Sequence, residues 1–203
     1  MPNGRPSRID RRELLTLVLA GSGAVVLGSP PGAAAASAPA MALDAGEVRS
    51  ALQVEQLVVF VYWQVLAGGT LGPTADALAR SILQHELIHV QTLRAELARL
   101  RLAPPSPPAS VAEADDQLSA LHASSALGAV HQERGALNLL YDVEAISIAA
   151  YYRALPELSD PGLMQLATEI MGAEAQHASA IGGLLHPGKW DRVVPVASVQ
   201  GHH

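Results

Sequence analysis

The stretch ILQHELIHVQ, Ile82 to Gln91, decides the fold. Around it Leu78, Ile82, Leu87, Val90, Leu93 and Leu97 recur mostly at three- and four-residue steps, with neither glycine nor proline between them, which is the period of one face of an α-helix. A face with that pattern is built for burial. Yet it carries Glu86 and His89 where a core would want leucine.

Working outward, this helix opens at Pro73 or Thr74 and runs to about Leu102, where the proline-rich APPSPPAS halts it. Upstream, Asp44 is a plausible N-cap for a helix over 44–67, with Val48, Leu52, Val59 and Leu66 on its apolar face and the turn GGTLGP at its end. Downstream, a short helix fits 111–121, and longer ones fit 126–155 and 162–185, separated by PELSDPG. Few segments alternate as strands do. The expected fold class is therefore all-α, a four-helix bundle of two antiparallel hairpins over 44–185, joined by a long crossover at 103–125 and followed by an irregular tail at 186–203.

A chain of 203 residues with 49% hydrophobic and 16% charged residues has the material for one compact domain. Its formal charge is -6 and no basic patch is present, which argues against nucleic acid and in favour of small ligands or cations. There is no cysteine, so disulfides, iron–sulfur clusters and thiolate zinc sites are excluded.

Residues 1–40 differ from the rest. Arg11 and Arg12 precede Leu14 and Leu15, then comes an apolar, glycine-containing run to about Gly28, then small residues offering Ala-x-Ala cleavage choices. This looks like a twin-arginine export signal. The competing reading is a membrane anchor, but the run is shorter than the roughly 20 residues that a spanning helix needs. Export places the mature protein in the periplasm or outside the cell, with no stable membrane span. Cleavage would take away four arginines and two acids and leave a charge of -8.

The turns account for the polar residues. Glu55 lies inside the apolar run VEQLVVFVYW, and the midpoint between Glu55 and Glu86 falls inside the GGTLGP turn, so an antiparallel hairpin sets both at one height. Glu144 and Glu174 are mirrored in the same way about Ser159, inside PELSDPG. Glu86 is followed three residues on by His89, and Glu174 by His177, a step that puts both side chains on one helix face. The halves match further: Tyr62 and Tyr151 each follow a glutamate by seven residues, and Leu78-Ala79 and Ile82 correspond to Leu166-Ala167 and Ile170. The two halves look like an internal duplication of a helical hairpin.

Four carboxylates and two imidazoles aimed into one core are costly unless paired, since desolvating even one charge costs several kcal/mol. Two divalent cations would balance the four glutamates, and a carboxylate–imidazole donor set suits iron or manganese while leaving positions open for oxygen or peroxide. The bland alternative is a degenerate bundle whose polar residues only hydrogen-bond one another. For Tyr62 and Tyr151, which lean back toward the preceding glutamate of their own helix, core packing and hydrogen bonding to the site both remain open. His85 reads as a surface or supporting residue, His131, His186, His202 and His203 as exposed, and Asp115-Asp116 as a solvated pair.

Glu on one helix and Glu-x-x-His on the next, then the same again, resembles the ferritin-like superfamily of di-iron or di-manganese carboxylate proteins. All six positions are filled: Glu55, Glu86, His89, Glu144, Glu174 and His177. The resemblance implies two iron or manganese ions per chain, with Glu86 and Glu174 bridging, Glu55 and His89 completing one ion's shell, and Glu144 and His177 the other's. Without cysteine the chain cannot carry the rubredoxin-like module of rubrerythrins, and the catalase and oxygenase branches are longer, which leaves the small exported ferritin-like proteins. Three functions follow: an oxidase-type enzyme that oxidises Fe(II) or reacts with oxygen or peroxide; an iron-handling protein with little turnover, as a monomer or a homo-oligomer; and a structural stress-protection bundle.

Overall fold

The computed structural model describes residues 38–189 and Val193, and no strand occurs among the described residues. Its elements are α1 (Ala38–Gly68), α2 (Pro73–Arg99), α3 (Val111–Ala120), a 3-10 turn (Leu127–Ala129), α4 (Glu133–Ala154) and α5 (Pro161–Leu185). Arg11, Arg12 and their apolar run, and His202 and His203, lie outside the described residues.

α1 and α2 form one hairpin and α4 and α5 the other; α1 packs on α4, and α2 on α5. The first turn needs Gly69, whose φ of 65° is left-handed, and Gly72, where a Cβ would stand 2.7 Å from a Glu133 carboxylate oxygen. α2 stops at Arg99 because Arg101 turns left-handed and the Leu102 N–H reaches back to the Leu97 carbonyl at 2.9 Å, a Schellman closure ahead of the prolines.

Two expected boundaries differ. Asp44 is no N-cap: α1 is already helical at Ala38, and the buried Asp44 carboxylate accepts the backbone N–H groups of Ser159 (2.6 Å) and Asp160 (3.1 Å), capping the α4–α5 turn. The third long helix begins at Glu133 instead of 126, because the Asp115 carboxylate holds the N–H groups of Leu127 and Gly128 and pins the 3-10 turn with Leu127 buried. Asp115 is thus a cap, and not merely one of a solvated pair.

The crossover runs the length of the bundle, about 40 Å for a helix the size of α2. At its start Arg99 pairs with Asp160 at 3.5 Å, beside the α4–α5 turn, and at its end Glu133 accepts from the Gly72 N–H at 2.6 Å, beside the α1–α2 turn. On the way the Ala103 and Pro105 carbonyls accept from Arg49 and Gln56 of α1. Segment Pro39–Gly68 is apolar and long enough to cross a membrane by composition, but half of its most apolar window is buried inside the bundle.

The core is split. One apolar cluster contains Leu57, Val61, Ile82, Leu140, Val143 and Ile181, and the other contains Leu52, Leu93, Leu97, Tyr151, Leu163 and Ile170. Glu55, Glu86 with His89, Glu144, and Glu174 with His177 each lie between the two clusters in the sequence of their own helix. A polar layer therefore divides an otherwise apolar interior.

Candidate metal centre

The six residues singled out by spacing converge on this layer. Glu55, Glu86, Glu144 and Glu174 are fully buried, and the His89 and His177 side chains are 11% and 6% exposed. Their donor atoms form two groups, each able to hold a metal ion with all atoms within 4.8 Å of one another: Glu55, Glu86, His89 and Glu174, and Glu86, Glu144, Glu174 and His177. Glu86 and Glu174 belong to both.

Atom by atom, the partition is consistent. Nδ1 of His89 faces Glu86 Oε2 (3.4 Å), Glu174 Oε1 (2.8 Å) and Glu55 Oε2 (3.8 Å). Nδ1 of His177 faces the opposite oxygens, Glu86 Oε1 (2.9 Å) and Glu174 Oε2 (3.3 Å), together with Glu144 Oε2 (3.3 Å). Each shared glutamate thus presents one oxygen to each histidine.

The outer glutamates are held from behind. Glu55 Oε1 accepts from Tyr151 (2.8 Å) and Ser147 (3.0 Å), and Glu144 Oε1 accepts from Tyr62. Both tyrosines are therefore hydrogen-bonding residues of the site, but each serves the glutamate of the other hairpin and not that of its own helix. Since Tyr62 meets Glu144 while Tyr151 meets Glu55, α1 and α4 run antiparallel. Ser147 was not singled out by sequence; it lies three residues after Glu144 on the same face of α4, and only the packing of α1 against α4 aims it at Glu55. His85 supports the site as well, with Nδ1 3.0 Å from Nε2 of His177.

The remaining oxygens test whether a cation fits. Glu55 Oε2, both oxygens of Glu86, Glu144 Oε2, Glu174 Oε1 and His89 Nδ1 are buried with no hydrogen-bond partner. His89 stands close to its carboxylates without the alignment of a hydrogen bond, so charge holds the contact. A buried unpartnered acceptor costs about 1–3 kcal/mol, and more when charged. Five such oxygens and one imidazole nitrogen facing one small volume form a donor set that could hold metal ions, and carboxylate with imidazole fits iron or manganese chemically.

Burial and the facing charges set the protonation of the layer. Burial lifts Glu55 to about 8, despite the nearby His89, and burial likewise carries Glu144 well above the ordinary carboxylate range. At Glu174 burial also opposes the charge, but His177 and His89 outweigh it and hold the carboxyl down at about 2. Burial disfavours charge on the imidazoles too; the surrounding carboxylates, Glu174 first for His89 and Glu144 first for His177, overcome it and push them up to about 12 and about 11. Burial keeps the Tyr62 and Tyr151 hydroxyls protonated as donors.

A family model described as "Ferritin-like domain" matches residues 43–187. Among solved structures, the chain is similar to a hypothetical protein from Methanococcus jannaschii DSM 2661, with 15% identity, a TM-score of 0.60, and 78% of this chain and 85% of that one covered; at that identity the likeness speaks for the fold. No curated protein matches in sequence.

Proposed function

The chain belongs to the ferritin-like domain family, and from that premise we propose that its polar layer holds two iron or manganese ions and reacts with oxygen or peroxide, oxidising Fe(II) in the iron form. The observation that carries this reading is the sorting of the buried oxygens. Those of Glu55 and Glu144 that face away from the centre are hydrogen-bonded by Tyr151, Ser147 and Tyr62, while the inward ones, with both oxygens of Glu86, are left unpartnered. Glu55 and His89 would hold one ion, Glu144 and His177 the other, and Glu86 and Glu174 both.

A metal pair held by these six residues would supply the electrons for reaction with oxygen or peroxide. The chain's own part is to keep the ligands buried and aimed before the ions arrive, which limits the reorganisation needed on binding. The apolar clusters above and below exclude water and strengthen every charge interaction in the layer. Tyr62 and Tyr151 hold the outer carboxylates by one oxygen each, leaving the other for the metal. We further place the protein outside the cytoplasm, on the strength of the paired arginines and apolar run within residues 1–40.

Oxygen consumption by anaerobically Fe(II)-loaded protein tests the activity. Uptake that saturates with loaded iron and vanishes in Glu86→Ala supports an oxidase-type centre. Metal retention without uptake would reduce the protein to an iron-binding role.

A further inference from the structure

Resting on the reading of the layer as a two-metal centre, we propose that His85 makes the two metal positions unequal. It is a positioning residue for His177, so the position of His177 and Glu144 binds its cation more tightly than that of His89 and Glu55. Nδ1 of His177 is turned to the carboxylates, and its outer nitrogen Nε2 lies 3.0 Å from His85 Nδ1, with ring centroids 5.2 Å apart. For Nδ1 to offer a lone pair to a cation, the neutral ring must carry its proton on Nε2, and His85 Nδ1 stands where it can accept that hydrogen bond. One contact fixes both the tautomer and the tilt of the ring. His85 does this from an exposed position on α2, one residue ahead of the shared Glu86.

The duplicated hairpin supplies the internal comparison. The position that matches His85 lies one residue ahead of Glu174 and is Ala173, whose methyl group can accept no hydrogen bond. Nδ1 of His89 is buried with no hydrogen-bond partner. The His89 ring is also the more exposed of the two, 11% against 6%. A ring without the counterpart of His85 behind it must surrender more rotational freedom when it ligates. The His89 position is therefore the weaker one.

Calorimetric titration of the metal-free full chain with Mn(II) tests this. Two steps separated by roughly tenfold or more are expected, and His85→Ala should weaken the tighter step by about 10–100-fold while leaving the weaker one in place. His85→Gln, whose amide oxygen can accept the same hydrogen bond, should restore part of the loss. Ala173→His should tighten the weaker step. Two steps of equal affinity, or a tighter step that ignores His85→Ala, would overturn the inequality and leave the two-metal reading standing; no binding of Mn(II) by the wild type would overturn both.

Discussion

Tyr151 of α4 donates its hydroxyl hydrogen to Glu55 Oε1 of α1 at 2.8 Å, so the outer glutamate of one hairpin is aimed by a residue of the other. Removing that hydroxyl leaves Ser147 as the remaining donor at 3.0 Å. Tyr151→Phe should keep the fold and both metals, weaken the Glu55 position by roughly tenfold, and leave the other position alone. Stepwise metal titration checks this; equal weakening of both positions would count against the assignment.

Tyr62→Phe removes a buried donor to Glu144, and no second donor to Glu144 Oε1 is found among the described residues. The metal-free protein should lose about 1–3 kcal/mol of stability. Urea denaturation of the variant measures this, and a change below a few tenths of a kcal/mol would mean that the hydroxyl is not the partner it looks to be.

The pH dependence of the metal-free form has a definite sign. Glu55 sits at about 8 when folded, against 4.5 as its ordinary value, so between those pH values the folded state keeps a proton that the unfolded state has lost. That contribution is fully present below pH 4.5 and is lost as pH rises through 8. Metal binding runs the other way, since carboxylates and imidazoles must shed protons to ligate, and affinity climbs over the same range. The gap in Tm between metal-loaded and metal-free protein should therefore widen from pH 5 to pH 8 (roughly the window between the two values). A gap that narrows with pH contradicts the site.

Asp44 tests the frame independently of the metal. Its carboxylate holds two backbone N–H groups of the α4–α5 turn. Asp44→Ala should cost about 1–3 kcal/mol in unfolding free energy without altering metal stoichiometry.

What the sequence made legible follows from period. Glu55, Glu86, His89, Glu144, Glu174 and His177 could be placed on one level because helical spacing and turn midpoints depend only on local geometry. The partners of Tyr62 and Tyr151 could not, because which helix faces α1 across the core is a matter of topology, and a same-helix glutamate seven residues back is the neighbour that sequence alone offers. Asp44 misleads for a related reason. The preceding APAMAL continues a helix without a break, and the N–H groups that Asp44 caps lie more than a hundred positions away. The start of α4 at Glu133 depends in the same way on the distant carboxylate of Asp115.

The most direct test of a paired centre at Glu86 and Glu174 is a count of iron, manganese and zinc per chain in the purified protein, before and after anaerobic Fe(II) loading, with Glu86→Ala beside it. About two iron or manganese ions per chain are expected in the wild type, and no paired binding in the variant. A wild type that takes up no metal, or a Glu86→Ala protein that keeps both ions, would contradict it.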